Sequence, residues 1–384
     1  MSEIVNHIPA IVAAQRAYFR SHETLHIEFR LAMLQRLREA IIKHEKSLTD
    51  ALYRDLHKSY EEAFLTEISI VLGEIDNFLK HLKRWAAPSK KDTPLKLKPS
   101  KSAIITEPLG VALIIAPWNY PVQLLLNPLV GAIAAGCTAI LKPSPYVPNV
   151  SAALDRLIKE CFNEEYVAII QGHRDINSAL LKERYDIIFF TGSPDLGRVV
   201  MRAAAENLTP VVLELGGKSP VVVDRSADIE IAAKRIAWGK TLNAGQTCIA
   251  PDYLLIHPEV KEQFIEAFKR AVVELHGAHG RGEHGQSELA AEQLNAGVHG
   301  LVLAAGVHVD TQLLPLLIVA DGAGADALGT GAGYMVAAGA AVAYRAVFAV
   351  GPHLIGSGGV DLLVCHFSSL HTIFESFIVA IHLP

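Results

Sequence analysis

The stretch Val111-Ala112-Leu113-Ile114-Ile115-Ala116 decides the fold class of this chain. It is a short, unbroken run of apolar side chains, which predicts a strand buried on both faces. Further apolar runs follow, with helical stretches between them, at 138–141, 167–170, 187–190, 211–213 and 221–223. Buried strands that alternate with helices predict an α/β fold with a doubly wound parallel sheet, the class that binds nucleotides at the carboxyl ends of its strands.

The region before this sheet is predicted to be helical. Apolar residues recur at three- and four-residue spacing through 8–86, and the pattern Ser59-Tyr60-Glu61-Glu62 is typical of a helix start. Residues 87–106 are rich in Lys, Pro and Ser and are predicted to form an extended arm, with an edge strand at 101–106. We therefore assign residues 1–212 to the helices and the nucleotide-binding domain, and residues 213–384 to a second domain.

Composition limits the classes of protein to which the chain belongs. With 384 residues, of which 51% are hydrophobic and 20% charged, it can bury the cores of two or three domains. Its formal net charge of −5 offers no broad basic surface, so no nucleic-acid partner is expected. Four cysteines without regular spacing, and a start without a secretory pattern, favour the reducing cytoplasm.

The composition changes near residue 275. Residues 1–270 hold 33 of the 35 Lys and Arg residues, and only Arg281 and Arg345 follow. Residues 271–384 hold 17 of 28 Gly and 9 of 17 His. Three interpretations of residues 276–384 are open: a divergent but working second half, a frameshifted or misassigned sequence, and a deletion that removed the function. The abruptness of the change favours the second.

The last stretch carries two further patterns. His276, His279 and His284 lie close together, but no Cys or paired carboxylate completes a ligand set, so we expect no metal. The apolar stretches 331–350 and 367–383 are interrupted by Arg345 and Glu375, which favours buried or interfacial segments over a membrane anchor.

Cys248 is the candidate nucleophile. It ends the stretch Asn243-Ala244-Gly245-Gln246-Thr247-Cys248, where small and polar neighbours suit a loop whose backbone N–H groups can approach a reacting carbonyl. An inert buried thiol is the alternative, and the apolar neighbours of Cys137 and Cys161 favour that interpretation for them. Glu214, 34 residues upstream of Cys248, is the candidate base.

Two segments at predicted strand ends are candidates for cofactor binding. Lys142-Pro143-Ser144 follows the second apolar run, and Gly192 and Gly197 follow the fourth with four residues between them. This glycine pair is not the three-glycine dinucleotide fingerprint, and a tight turn is its alternative interpretation. The two segments together, on one sheet, favour a cofactor.

Six segments, in order and spacing, resemble the aldehyde dehydrogenase superfamily. The similarity covers about residues 10–275 and is greatest to the class 3 type, which oxidises aromatic and medium- or long-chain aliphatic aldehydes. The segments are 107–110, 116–121, 142–144, 190–193, 214–220 and 243–248. The resemblance implies a doubly wound cofactor domain, an α/β catalytic domain, a small oligomerisation arm and a homodimer.

The resemblance also implies a role for each catalytic residue. Cys248 would attack the aldehyde, the Asn119 amide and the Cys248 N–H would hold the oxyanion, and Glu214 would activate water against the thioester. All three are expected to line one cleft between two domains. A catalytically silent homologue with a structural or cofactor-binding role is the alternative, and an acylating enzyme that passes the thioester to coenzyme A is a third.

The implied cofactor is NAD or NADP. Lys142 would bind the adenosine ribose, Ser193 and its neighbours the pyrophosphate, while Pro117 and Trp118 shape the loop. The full set of implied cofactor-site residues is Pro117, Trp118, Lys142, Ser144, Gly192, Ser193, Gly197, Leu215 and Gly216.

The sequence departs from the family pattern in two places. Pro145 stands where the family often has a glutamate that disfavours NADP, and Val347 and Phe348 stand where two glutamates would precede a Gly-Pro pair. The first departure favours use of both cofactors, and the second favours the silent alternative.

Overall fold

The computed structural model describes residues 3–276, 347–348 and 378–383. The chain divides into two compact units. The first unit contains the described residues up to Leu215 together with the strand at 378–383, and the second begins at Gly216 and includes residues 347–348.

The first unit contains eight of the described helices and eight of the strands. The helices are α1 (Glu3–Arg20), α2 (Ile27–Leu56), α3 (Tyr60–Ala63), α4 (Ser69–Trp85), α5 (Gln123–Ala135), α6 (Pro148–Cys161), α7 (Arg174–Leu180) and α8 (Pro194–Ala205). The strands are β1 (Ser89–Lys91), β2 (Ser102–Pro108), β3 (Val111–Ile115), β4 (Thr138–Lys142), β5 (Val167–Ile169), β6 (Ile187–Thr191), β7 (Val211–Glu214) and β11 (Ile378–Leu383).

The predicted helix start at Ser59 is confirmed. The Ser59 hydroxyl accepts a hydrogen bond from the Glu62 N–H at 3.2 Å, which satisfies one of the backbone donors that a helix start leaves unpaired. After α3 the helix widens into a π turn over Phe64–Ile68 before α4 continues it. A π turn changes the direction in which the following side chains point, and such turns are common at functional sites.

Five of the six predicted strands form a parallel sheet in the order β5-β4-β3-β6-β7, whereas the sixth, at 221–223, lies in a separate sheet of the second unit. Because alternate side chains of a strand point to opposite faces, β3 contributes to two separate cores. Ala112 and Ile114 pack with α2, α4, α5 and α6, whereas Leu113 packs with α1, α7 and α8. This burial on both faces confirms the doubly wound fold, and each fully buried Leu or Ile contributes roughly 1.5–3 kcal/mol to it.

The arm at 87–106 differs from the prediction in one respect. Residues 102–108 do form a strand, β2, but it lies between β1 and β11 in an antiparallel sheet. The prediction of an edge strand is therefore wrong, because β11 pairs along β2 from Pro108 opposite Ile378 to Ala103 opposite Leu383.

The second unit is a smaller α/β arrangement. Its strands β8 (Ser219–Val223), β9 (Pro251–Ile256) and β10 (Val347–Phe348) form a parallel sheet in the order β10-β8-β9. Helices α9 (Ile229–Thr241) and α10 (Lys261–His276) pack on it through a core that includes Ala233, Ile236 and Phe268.

Several predictions for the last stretch lie outside the described residues, including His279, His284 and most of the two apolar segments. Among the residues that the structure describes, no helix is long and apolar enough to cross a membrane, and no cluster of three metal-ligating side chains is present.

Candidate active site

The site residues of the first unit share one edge of the parallel sheet. In the strand register Ile115 pairs with both Lys142 and Phe190, and Thr191 pairs with Glu214. These residues end, or nearly end, four neighbouring parallel strands, so the loops that follow leave from the same edge. The sequence-predicted segments around Asn119, Lys142, Ser193 and Glu214 are thereby brought together.

Asn119 lies in the turn between β3 and α5. Its side chain is half-buried, as is Pro117, while Trp118 is exposed. The Asn119 carbonyl oxygen accepts a hydrogen bond from Lys58 Nζ at 3.0 Å. Lys58 is buried, and sequence analysis did not identify it.

The Lys142 segment is buried at the end of β4. The Lys142 ammonium donates a hydrogen bond to the Pro143 carbonyl at 2.7 Å, and burial lowers its pKa to about 8. The Ser144 hydroxyl accepts from the Tyr146 N–H at 3.3 Å, and the Ser144 carbonyl accepts from the Ser151 hydroxyl at 2.7 Å. These bonds fix the segment against the first turn of α6.

Ser193 is the residue that caps the N-terminus of α8. Its hydroxyl accepts from the Leu196 N–H at 3.3 Å, and Pro194 occupies the first helical position. A helix N-terminus favours an anion through the helix dipole and the backbone N–H groups of its first turn, of which the Leu196 N–H is already bound by Ser193 here.

Gly192 and Gly197 each allow a neighbouring side chain to lie close to the backbone. A Cβ atom on Gly192 would lie 2.5 Å from the Phe190 ring, and one on Gly197 would lie 2.8 Å from the Leu215 side chain. A larger residue at either position would therefore require the Phe190 or Leu215 side chain to move. The Leu215 side chain thus lies against Gly197 of α8 within the first unit.

Glu214 is the last residue of β7 and is exposed. Its carbonyl oxygen accepts from the Gly192 N–H at 3.0 Å. Partial desolvation by the surrounding protein atoms raises the pKa of the Glu214 carboxyl above its ordinary value. A raised pKa suits a carboxylate that has to take a proton near neutral pH.

Cys248 belongs to the second unit and is exposed. It follows a turn in which Asn243, Ala244 and Gly245 all have positive φ, at 52°, 53° and 76°. Two of these residues are not glycine, and backbone in this region costs about 1–3 kcal/mol per residue, a cost that proteins retain mainly at functional sites. Reciprocal hydrogen bonds between Asn243 and Gln246 hold the turn.

The other described cysteines are of the structural kind that sequence analysis expected. Cys137 and Cys161 are buried, and burial raises the pKa of each thiol to about 11. Neither thiol has the exposure that a nucleophile needs.

Gly216 and Gly217, which follow Glu214 by two and three residues, have different surroundings. Open space surrounds the Cβ position of Gly216, whereas a Cβ atom on Gly217 would lie 2.6 Å from the Cys248 carbonyl oxygen. The backbone at Gly217 thus lies directly against the Cys248 loop within the second unit. Cys248 belongs to the second unit, whereas Asn119 and Glu214 belong to the first. The cleft that is predicted to hold all three residues therefore stays a prediction.

Comparison with known proteins shows the family. The model of the aldehyde dehydrogenase family matches residues 5–291. The chain is 48% identical over 262 residues to 4,4'-diaponeurosporen-aldehyde dehydrogenase of Staphylococcus aureus, which covers 68% of this chain and 57% of that protein. It is 43% identical over 270 residues to the dimeric NADP-preferring aldehyde dehydrogenase of Canis lupus familiaris, which covers 70% of this chain and 60% of that protein.

A solved structure gives the same result. The substrate-bound state of Staphylococcus aureus AldH superposes with a TM-score of 0.70 at 46% identity, over 72% of this chain and 60% of that one. The chain belongs to the aldehyde dehydrogenase family. It spans somewhat under two thirds of the length of the curated relatives described above.

Proposed function

We propose that this protein oxidises an aldehyde to a carboxylic acid with NAD or NADP as the cofactor. The observation that carries the proposal is the exposed Cys248 thiol, which follows a left-handed turn and has the Gly217 backbone against its carbonyl. Family membership supports the same reaction. A catalytically silent homologue is the competing function, favoured by Val347 and Phe348 at positions expected to be glutamates.

In the proposed mechanism the Cys248 thiolate attacks the carbonyl carbon of the aldehyde. The Asn119 side-chain amide and the Cys248 N–H donate hydrogen bonds to the resulting oxyanion, and a donor of this kind is worth about 3–4 kcal/mol. Loss of hydride from the thiohemiacetal leaves a thioester on Sγ. Glu214 then takes a proton from a water molecule while the water oxygen attacks the thioester carbon. The carbon–sulfur bond breaks, which releases the carboxylic acid and restores the Cys248 thiolate.

The residues at the sheet edge fit a dinucleotide, which supplies the hydride acceptor when bound. Within the described part of the chain, Lys142 uses one N–H for the Pro143 carbonyl, which leaves two donors for ribose hydroxyls. The N-terminus of α8 suits a pyrophosphate. Thr191 Oγ1 at the same edge is buried without a partner among the described residues, so a hydrogen-bonding ligand would satisfy it.

The finer assignments are also part of the proposal. Resemblance to the class 3 type favours aromatic or medium- and long-chain aliphatic aldehydes as substrates, and the four cysteines without regular spacing favour the reducing cytoplasm as the compartment. The antiparallel sheet of β1, β2 and β11 is the proposed oligomerisation arm, and a homodimer is the proposed assembly. Residues 1–212 and 213–384 remain the proposed cofactor and catalytic domains.

The direct test is reduction of cofactor by the purified chain in the presence of aldehyde. We expect NADH or NADPH fluorescence to rise with benzaldehyde and with a medium-chain aldehyde such as octanal, and the matching acid to accumulate in equal amount. Cofactor binding without any reduction, for both cofactors and both aldehydes, would favour the silent homologue instead.

Pro145→Glu is predicted to shift the cofactor preference. Pro145 is partly exposed directly after the buried Ser144, at the end of the segment proposed to hold the ribose. A carboxylate there would repel a 2′-phosphate. Two like charges about 4 Å apart repel by about 1 kcal/mol in bulk water and about 4 kcal/mol near a protein surface, and about 1.4 kcal/mol already corresponds to about tenfold in kcat/KM. We expect kcat/KM for NADPH formation to fall about tenfold relative to NADH formation.

Pro145→Gln is the matched control, because it adds a side chain of similar size without the charge. It should leave the ratio of the two cofactors close to that of the unchanged protein. An equal loss for NAD and NADP in Pro145→Glu would contradict the placement of residue 145 beside the ribose.

A further inference from the structure

A fully buried ion pair lies beside the candidate oxyanion donor. Lys58 Nζ and Glu67 Oε1 are 2.5 Å apart, and both side chains are at most 1% exposed. In every other ion pair between described residues, both side chains are 17% exposed or more. A buried pair of this kind adds little net stability over two apolar side chains, so its presence calls for another explanation.

The remaining contacts of the pair converge on one segment, residues 119–123. Lys58 Nζ donates to the Asn119 carbonyl at 3.0 Å and lies 4.2 Å from the centre of the Tyr120 ring. Glu67 Oε2 accepts from the N–H groups of Val122 and Gln123 at 2.8 and 3.1 Å. The ammonium therefore holds the start of the segment, and the carboxylate holds its end.

The local fold brings these two charges to the same place. Lys58 lies just before the Ser59 cap of α3, and Glu67 lies in the π turn that precedes α4. Glu67 also caps α5, because Val122 and Gln123 carry backbone N–H groups at that helix start. A carboxylate at a helix N-terminus is favourable both as an acceptor and with respect to the helix dipole.

We propose that Lys58 and Glu67 are positioning residues that fix the segment 119–123, and with it the Asn119 amide, for attack on the aldehyde. The inference deepens the proposed function and rests on it for the role of Asn119. Neither residue touches the substrate in this account. Both act by fixing the Asn119 backbone, since a donor displaced by about 1 Å can cost on the order of a hundredfold in rate.

The test compares two neutralised ion pairs in the same unit. The double variant Lys58→Met/Glu67→Gln removes both charges, keeps similar volumes and leaves an acceptor for the Val122 and Gln123 N–H groups. The matched control is Arg16→Met/Asp186→Asn, because Arg16 and Asp186 form a 2.8 Å pair and Asp186 accepts from the Val111 N–H. That pair lies at the amino end of β3, whereas the segment 119–123 follows its carboxyl end.

Amide hydrogen exchange and the burst rate are the two readouts that separate a positioning role from a structural one, and cofactor affinity is an internal check. In Lys58→Met/Glu67→Gln we expect amide hydrogen exchange of peptides covering 119–126 to accelerate, and the burst rate of cofactor reduction to fall by about tenfold or more. The half-saturating cofactor concentration should change less than about twofold, which corresponds to under about 0.4 kcal/mol. The control pair should change neither readout.

The outcomes are distinguishable. A folded double variant whose burst rate stays within twofold of the unchanged protein, or whose exchange in 119–126 equals that of the control, would overturn the inference. If the unchanged protein shows no burst, the proposed function fails, and the exchange comparison still decides whether the pair fixes the segment. If the double variant does not fold, Lys58→Leu/Glu67→Gln, which likewise leaves no unpaired buried charge and keeps an acceptor for the two N–H groups, provides the same comparison.

Discussion

Cys248→Ala is expected to abolish aldehyde oxidation, with loss of both the burst and the steady-state turnover. The thiol is the only group in the proposed mechanism that forms a bond to the substrate, so its removal leaves no route to the thioester. Loss of a catalytic nucleophile reduces turnover by up to about 10⁶-fold in well-characterised acyl-transfer enzymes, and we expect a loss of at least about 10⁴-fold here. Cofactor reduction followed by fluorescence measures both phases.

Loss of folding is a weak explanation for that result. Cys248 is exposed, and substitutions at exposed positions usually change the free energy of unfolding by less than about 0.5 kcal/mol. Cys161→Ala, at a buried thiol on α6, serves as the control and should retain the burst. A Cys248→Ala protein with more than about one per cent of the original turnover would exclude the cysteine mechanism.

The central sheet was predictable because its signal is local. Each strand is a short apolar run that has to be buried on both faces, and the two cores that divide Ala112 from Leu113 are the consequence. The central position of β2 was not predictable in the same way. Its second partner, β11, lies about 270 residues later in the chain, and local sequence patterns do not predict strand pairing over that distance.

The Lys58–Glu67 pair shows a second limit of sequence analysis. Nine residues at 3.6 per turn place two side chains on opposite faces of one continuous helix. The cap at Ser59 and the π turn at Phe64–Ile68 interrupt that periodicity and bring the charges together. A glutamate within the apolar pattern of 63–71 was the available signal, because a buried carboxylate requires partners.

The candidate site residues were predicted from motifs rather than from geometry. The glycine pair Gly192 and Gly197 had a tight turn as its alternative interpretation, and the structure gives each glycine a packing reason at Phe190 and Leu215. That reason is compatible with a pyrophosphate site, since the same close packing sets the start of α8 at the sheet edge. The strained turn before Cys248 had no sequence signal beyond its small and polar residues.

Glu214→Gln is expected to separate the two halves of the reaction. Attack by Cys248 and loss of hydride do not require the carboxylate, so a burst of reduced cofactor close to one per site should remain. Hydrolysis of the thioester loses its base, and general base catalysis contributes about 10²–10⁴-fold, so steady-state turnover should fall by about that factor. Rapid-mixing fluorescence measures the burst, and Glu206→Gln, an exposed glutamate just after α8, is the control.

The pH dependence of steady-state turnover is a further test of the role of Glu214. Only the ionised carboxylate accepts a proton from water, and partial desolvation raises the pKa of Glu214. Turnover limited by hydrolysis should therefore decline, as pH falls, at a higher pH than for an ordinary glutamate, whose pKa is about 4.3. The Glu214→Gln variant should lose this acid limb while its slow turnover persists. A steady-state rate in Glu214→Gln equal to that of the unchanged protein, with the acid limb intact, would assign the activation of water to another group.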